Sequence, residues 1–181
     1  MKEHIRFVAI ISTAIICMIL GCILFLGKAS PTSGSYSAPL VVIDQNEEYP
    51  VTDVIDGDTF KASVASRIIT VRLLGMDTPE TVDPRKPVQC YGKEASDETK
   101  RLLDGRKVSL KQNPNREVRD KYGRYLAYVY RDDGLFVNEH LIQNGFAREY
   151  TYGSAYSLQK EFLNDQAVAQ KEGKGLWSEC K

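Results

Sequence analysis

The fold of this 181-residue chain is constrained most by five short runs of β-forming residues separated by turns and helical stretches. In the third run, Ile69 and Val71 share one face, whereas Arg72 faces the other way, as in a strand with one side on the core. Short strands of this kind, without an internal repeat, predict a small antiparallel barrel. The runs cover residues 49–55, 59–65, 68–76, 107–112 and 124–130.

Three helices are predicted, over residues 91–104, 137–144 and 157–170, because their apolar residues recur at helical spacing. Gly105 and Gly145 follow the first two and are typical helix stops. The fold class is therefore α+β, a barrel of mainly β structure that carries helices.

Residues 7–26 form an uninterrupted run without charge. As a helix this run would span roughly 30 Å, the thickness of a hydrocarbon core. Three interpretations stay open: an uncleaved membrane anchor, a signal peptide cleaved after residues 27–29, and a lipoprotein modified at Cys22. Each predicts an extracytoplasmic location for the rest of the chain, either anchored in the membrane or secreted.

The predicted organisation has three parts. Residues 1–28 are the signal anchor or signal peptide, and residues 29–48, which are rich in Ser, Pro and Gly, form a flexible linker. Residues 49–181 then form one compact domain, which is predicted to be a monomer.

The net charge of zero, from 24 basic and 24 acidic residues, argues against a protein that coats nucleic acid by charge alone. It is compatible with an enzyme that holds one or two phosphates in a local pocket.

Four cysteines divide into two pairs. Cys17 and Cys22 lie in the apolar run, whereas Cys90 and Cys180 flank most of the domain. Outside the cytoplasm, an even pair in a small domain predicts a Cys90–Cys180 disulfide. Two unpaired thiols are the alternative, because the sequence does not give their separation.

Two polar clusters indicate the chemistry. The first comprises DGDT at residues 56–59, Arg72 and DTPE at residues 77–80, and the second is DKYGR at residues 120–124. Each motif alone is typical of an ordinary turn. Together they supply carboxylates, which Ca²⁺ binds, and arginines, whose planar fork fits a phosphate. A metal-assisted nuclease is the leading hypothesis.

The same motifs, with their internal spacings, resemble those of the thermonuclease, or staphylococcal nuclease, family. The similarity continues through residues 91–95, 137–139 and 176–178 and covers about residues 49–180. It implies a five-stranded OB-fold barrel with three helices, one Ca²⁺ ion, and cleavage of single-stranded DNA and RNA that leaves 3′-phosphate ends.

The resemblance also implies roles at the metal. Asp58 and Asp77 would supply carboxylate ligands, and the backbone carbonyl of Thr78 a third. Glu80 would hold the attacking water and deprotonate it, although a carboxylate of ordinary pKa is a weak base, so a role that only orients the water stays open.

The remaining implied residues contact the substrate. Arg72 and Arg124 would grip the phosphate and stabilise its developing charge. Tyr122 and Tyr150 would flank the nucleotide, and Lys121 would contact a neighbouring phosphate.

Two other classes of protein stay possible at this point. One is a non-catalytic OB-type module that binds nucleic acid, and the other is a membrane-tethered interaction domain that binds Ca²⁺ structurally. A nuclease assay distinguishes both from the enzyme.

Overall fold

The computed structural model describes residues 40–85, 87–114 and 117–180. The predicted apolar helix at residues 7–26 lies outside the described residues, and so does most of the predicted linker. None of the helices in the described part combines the length and the apolar composition needed to cross a membrane.

Five strands close into the predicted barrel, and two further strands of two residues each form a small separate sheet. The strands are β1 (Tyr49–Val54), β2 (Thr59–Val64), β3 (Arg67–Leu73), β4 (Met76–Asp77), β5 (Lys107–Lys111), β6 (Tyr125–Arg131) and β7 (Arg148–Glu149). The helices are α1 (Gly92–Leu103), α2 (Val137–Gln143), α3 (Gln159–Glu172) and the one-turn α4 (Leu176–Glu179). The sequence predicts the first three helices but not α4.

The order of strands around the barrel is β1-β2-β3-β6-β5, with β5 pairing back to β1. Four of these pairings are antiparallel, but β3 and β6 run parallel. The prediction of a purely antiparallel barrel is therefore wrong at this seam. Because α1 and β5 lie between the two strands in the chain, the connection is long enough to return β6 in the same direction.

The core fills the barrel with side chains from alternate strand positions. Arg72 faces away from it, as the alternation predicts, while its neighbours Val71 and Leu73 are buried. The fully enclosed barrel residues are Phe60, Ala62, Val71, Val108, Leu110, Ala127 and Val129.

Residues 40–48, assigned to the linker by the sequence, contact the barrel. Ile43 is buried, and the Val41 amide donates a hydrogen bond to Tyr125 Oη at 2.6 Å. The predicted boundaries of the three parts of the chain stay predictions.

The predicted strand over residues 68–76 is interrupted. It ends at Leu73, turns through Gly75, and resumes as the two-residue β4, which pairs with β7 instead of the barrel. Gly75 has φ +81°, a conformation that favours glycine. The turn takes Asp77 off the barrel wall and onto its rim.

Candidate active site

The register of β2 and β3 brings the first predicted residues together. Thr59 pairs with Arg72, so the guanidinium emerges beside the carboxylate of Asp58, which immediately precedes β2. Arg72 Nη1 forms an ion pair with Asp58 Oδ1, and Nη2 lies 2.5 Å from Asp77 Oδ1. A single guanidinium thus bridges two carboxylates that are 19 positions apart in the chain.

Asp58 is a buried carboxylate, with a side chain only 2% exposed. Its Oδ2 accepts hydrogen bonds from the Thr78 amide and hydroxyl, each at 3.0 Å. Burial raises its pKa to about 6, and the nearby Asp56 adds to this, whereas Arg72 opposes it. The folded protein therefore holds a carboxyl group that releases its proton less readily than an ordinary aspartate.

The loop before Asp58 permits this burial because residue 57 is glycine. A Cβ at Gly57 would lie 2.7 Å from Thr78 Oγ1, too close for any other residue without movement. The Gly57 carbonyl accepts a hydrogen bond of 2.7 Å from the buried Thr99 hydroxyl of α1. Thr78 can therefore close directly over the Asp58 carboxylate.

Glu80 lies on the loop that follows β4, and its carboxylate is turned toward its own backbone. Its Oε1 accepts hydrogen bonds from the amides of Thr81, Val82 and Asp83 at 2.7–3.1 Å. These amides, that of Val82 foremost, lower the pKa of Glu80. Glu80 is therefore an ionised hydrogen-bond acceptor but a weaker base than an ordinary glutamate.

Gln89 holds the backbone of Glu80 from the other end of the loop. The Glu80 amide donates to Gln89 Oε1 at 3.0 Å, and the Gln89 amide donates to the Glu80 carbonyl at 2.9 Å. The next residue, Cys90, forms a disulfide with Cys180, with the sulfur atoms 2.07 Å apart. The two cysteines are 90 positions apart in the sequence. In the chain-entropy model, a disulfide that closes a loop of this length stabilises the folded protein by up to about 4–5 kcal/mol.

The second cluster forms a tight turn before β6, and Arg124, predicted as the first residue of the strand, lies just before it. Asp120 Oδ1 accepts the amides of Tyr122 and Arg124, each at 2.9 Å, and Asp120 Oδ2 accepts Arg124 Nε at 2.7 Å. The turn fixes the guanidinium and leaves the Tyr122 ring 72% exposed. Lys121 Nζ lies 5.0 Å from the centre of that ring.

One cavity, of about 700 Å³, joins the two clusters. All the predicted metal, catalytic and substrate residues line it: Asp58, Arg72, Asp77, Thr78, Glu80, Lys121, Tyr122, Arg124 and Tyr150. The predicted disulfide residues do not line the cavity.

Several lining residues are absent from the sequence-based site, among them Gln89, Tyr152 and Tyr156. The spacing of two residues between Tyr150 and Tyr152 in an extended segment places both side chains on one side, a signal that could have identified Tyr152. No local pattern distinguishes Gln89 or Tyr156.

The donor atoms at the base of the cavity are compatible with Ca²⁺. Asp58 and Asp77 bring two negative charges against the single positive charge of Arg72, and Ca²⁺ accepts carboxylates, carbonyls and water in irregular geometry. Within residues 40–85, 87–114 and 117–180, no three acidic, histidine or cysteine side chains are grouped closely enough to hold a metal. Asp58 and Asp77 are the two carboxylates that Arg72 brings together, and any further ligands of a cation there would be carbonyls and water.

The structure combines a closed five-stranded barrel with a cleft that holds Arg72 and two carboxylates at its base and Arg124 and exposed tyrosines at its edge. These features define a class of protein suited to binding phosphate esters. The family model described as staphylococcal nuclease homologue matches residues 70–179. The chain belongs to this family, that of the thermonucleases, and the predicted membership is confirmed.

Individual relatives agree with the family model. A thermonuclease of Staphylococcus hyicus is 39% identical over 168 residues, which cover 93% of this chain and 98% of the relative. A thermonuclease of Staphylococcus intermedius is 43% identical, covering 74% of this chain and 77% of its own. Endonuclease YncB of Bacillus subtilis is 42% identical, covering 68% and 58%. These relatives support nuclease activity as the general function of this chain.

Proposed function

We propose that this protein is a calcium-dependent nuclease that hydrolyses phosphodiester bonds of DNA and RNA with little sequence specificity and leaves 3′-phosphate ends. The proposal depends above all on Arg72, which bridges Asp58 and Asp77 at the base of a cleft shared with Glu80 and Arg124. Membership of the thermonuclease family supports it.

Asp58, Asp77 and the Thr78 carbonyl would hold the calcium ion. When bound, the ion supplies positive charge that polarises the phosphate and neutralises charge developing on it. The hydrogen bonds from Thr78 to Asp58 fix the orientation of that carboxylate before any ligand arrives.

The arginines bind the phosphate and stabilise the transition state. In-line attack builds negative charge on the non-bridging oxygens, and donors already in place there reduce the barrier. Arg72 is held by Asp58 and Asp77, and Arg124 by Asp120, so both guanidiniums are oriented before the substrate binds.

Glu80 orients the attacking water. Its carboxylate stays ionised because three backbone amides lower its pKa, and an ionised oxygen accepts a hydrogen bond from water. The same lowering makes it a poor proton acceptor, which favours orientation over proton abstraction as its main contribution.

The exposed tyrosines at the edge of the cleft support the proposed lack of sequence preference. Tyr122, Tyr150 and Tyr152 offer rings on which any base can stack, and Lys121 contacts a neighbouring phosphate. Stacking of this kind needs bases that are not paired, so single strands are the preferred substrates.

The location that fits this chemistry is outside the cytoplasm, either anchored through residues 7–26 or secreted after cleavage, with the protein acting as a monomer. Sites for Ca²⁺ with dissociation constants of about 10⁻⁴–10⁻³ M are filled there. The Cys90–Cys180 disulfide is of a kind that persists in oxidising compartments.

The test is incubation of the purified full chain with single-stranded DNA, with calcium, with a chelator, and with calcium restored. We expect cleavage only with calcium, and product ends that a polymerase extends only after phosphatase treatment. Cleavage that resists the chelator would remove calcium from the proposal, and ends extended without phosphatase would contradict the polarity. Binding without cleavage would instead indicate a non-catalytic module.

A further inference from the structure

The carbonyl of Gly75 is a meeting point of three segments at the cleft. It lies in the turn between β3, which carries Arg72, and β4, which carries Asp77. It accepts a hydrogen bond from the Tyr150 amide at 3.0 Å and a second from the Tyr156 hydroxyl, also at 3.0 Å. One oxygen atom therefore connects the strand of a proposed metal ligand to a tyrosine proposed to stack on the substrate.

The Tyr156 hydroxyl has a second acceptor. Its Oη lies 2.9 Å from Glu149 Oε1, and Glu149 is the residue before Tyr150. Burial, together with the hydrogen bond to Glu149, raises the pKa of Tyr156, so the hydroxyl keeps its proton. The single proton is thus shared between Gly75 on one side and Glu149 on the other.

The ring of Tyr156 is closely packed against its neighbours. A Cβ on Gly75 would lie 2.7 Å from ring atoms of Tyr156, so the ring rests on the glycine backbone. Tyr156 is only 5% exposed, and its ring centre lies 5.9 Å from that of Phe162 in α3. The ring therefore has no room to shift relative to the turn.

Helix α3 holds the segment that carries Glu149, the second acceptor of the Tyr156 hydroxyl. The Glu149 amide donates to Gln166 Oε1 at 2.8 Å, and Gln159 Nε2 donates to Thr151 Oγ1 at 2.6 Å. The short segment that carries Tyr150 is consequently held between α3 and the Gly75 turn.

We propose that Tyr156 is a positioning residue of the nuclease, which sets the spacing between the Asp77 strand and the Tyr150 ring across the cleft. This inference rests on the proposed function. Because Asp77 is also held by Arg72, loss of the Tyr156 hydroxyl affects Tyr150 more than Asp77. Its effect therefore falls mainly on the binding of substrate.

Tyr128 offers a matched control. It is also 5% exposed, and its hydroxyl lies 3.1 Å from Ser157 Oγ, next to Tyr156 in sequence, but it does not line the cleft. Tyr128→Phe and Tyr156→Phe each delete one buried hydroxyl from the same part of the molecule. A role limited to stability would make the two variants alike in activity.

The experiment compares wild type and both variants in steady-state cleavage of a single-stranded oligonucleotide at saturating calcium, together with amide hydrogen exchange at Tyr150. For Tyr156→Phe we expect KM to rise about three- to tenfold, kcat to fall less than threefold, and the Tyr150 amide to exchange faster. For Tyr128→Phe we expect all three within twofold of wild type. If Tyr156→Phe does not fold, Glu149→Ala removes the acceptor of the Tyr156 hydroxyl from the same cluster and should raise KM at least threefold.

The outcomes separate this inference from the proposed function. An active wild type in which Tyr156→Phe, or Glu149→Ala in its place, behaves like Tyr128→Phe would overturn the inference alone. A wild type without nuclease activity would overturn the proposed function, and the inference with it.

Discussion

The acidic side chains on the barrel rim and on the loop after β4 have pKa values that are shifted in opposite directions. On the rim, Asp58 is buried, and its pKa is raised to about 6 by that burial. On the loop after β4, Glu80 is fixed by three backbone amides that lower its pKa. The rim therefore sets two carboxylates against one guanidinium, which favours a cation, whereas backbone amides on the loop already stabilise the charge of Glu80.

The two arginines show the same difference. Arg72 emerges from a strand and is held by two acidic side chains from distant parts of the chain. Arg124 is held by Asp120, four residues earlier in its own turn. We conclude that barrel topology brings together Arg72 and the two carboxylates of the proposed metal site, whereas a local turn positions Arg124.

The largest effect should come from Arg72→Lys. Lysine cannot bridge two carboxylates and a phosphate with a planar fork, so we expect kcat on single-stranded DNA to fall about 10²–10³-fold. Arg67→Lys, an exposed position at the start of the same strand, is the control and should stay within twofold. A kcat for Arg72→Lys within threefold of wild type would contradict the role given to the rim.

The next effect concerns pH and the unfolding free energy of the protein in a chelator. The pKa of Asp58 is about 6 in the folded protein and 3.8 in the unfolded chain. Between these two pH values the folded state therefore holds a proton that the unfolded state has released. Stability from this group is therefore present below about pH 4 and lost as pH rises through 6, by on the order of 2–3 kcal/mol.

Urea unfolding of wild type and Asp58→Asn at pH 4, 5, 6 and 7 measures this contribution. Wild type should lose stability relative to the variant as pH rises. Glu80, with a lowered pKa, contributes with the opposite sign, and its stabilisation is lost as pH falls. A difference between wild type and Asp58→Asn that is constant with pH would contradict the burial argument.

A smaller effect is expected from Glu80→Gln. The amide oxygen of glutamine can still accept the three loop amides, so the thermal midpoint should change little, while kcat falls about 10- to 100-fold through weaker orientation of the water. A loss above about 10³-fold would instead assign Glu80 as the general base.

The parts of the fold and of the site that depend on local patterns could be predicted from the sequence. Strand alternation placed Arg72 opposite the core-facing Val71, and the Asp-Gly and Lys-Tyr-Gly-Arg motifs marked both halves of the site. The three long helices were expected within two residues of their ends. Local periodicity and turn residues are enough for such predictions.

Other features depend on contacts that no local pattern reveals. The break at Gly75 requires β7, more than 70 positions later, as a partner for β4. The parallel pairing of β3 with β6 is a property of the whole barrel. Glu80 turns toward its own backbone because the three amides that follow it donate to its carboxylate, and the role proposed for Tyr156 depends on its hydrogen bond to the Gly75 carbonyl. Such residues emerge only when distant segments are brought together.

Calorimetric titration of calcium into the nucleic-acid-free protein tests the central claim most directly, with Asp83→Asn on the neighbouring loop as control for Asp77→Asn. The account predicts one calcium ion per chain in wild type and in Asp83→Asn, and affinity at least tenfold weaker in Asp77→Asn. No calcium binding by wild type, or equal binding by both variants, would contradict a metal site formed by Asp58 and Asp77 on the barrel rim.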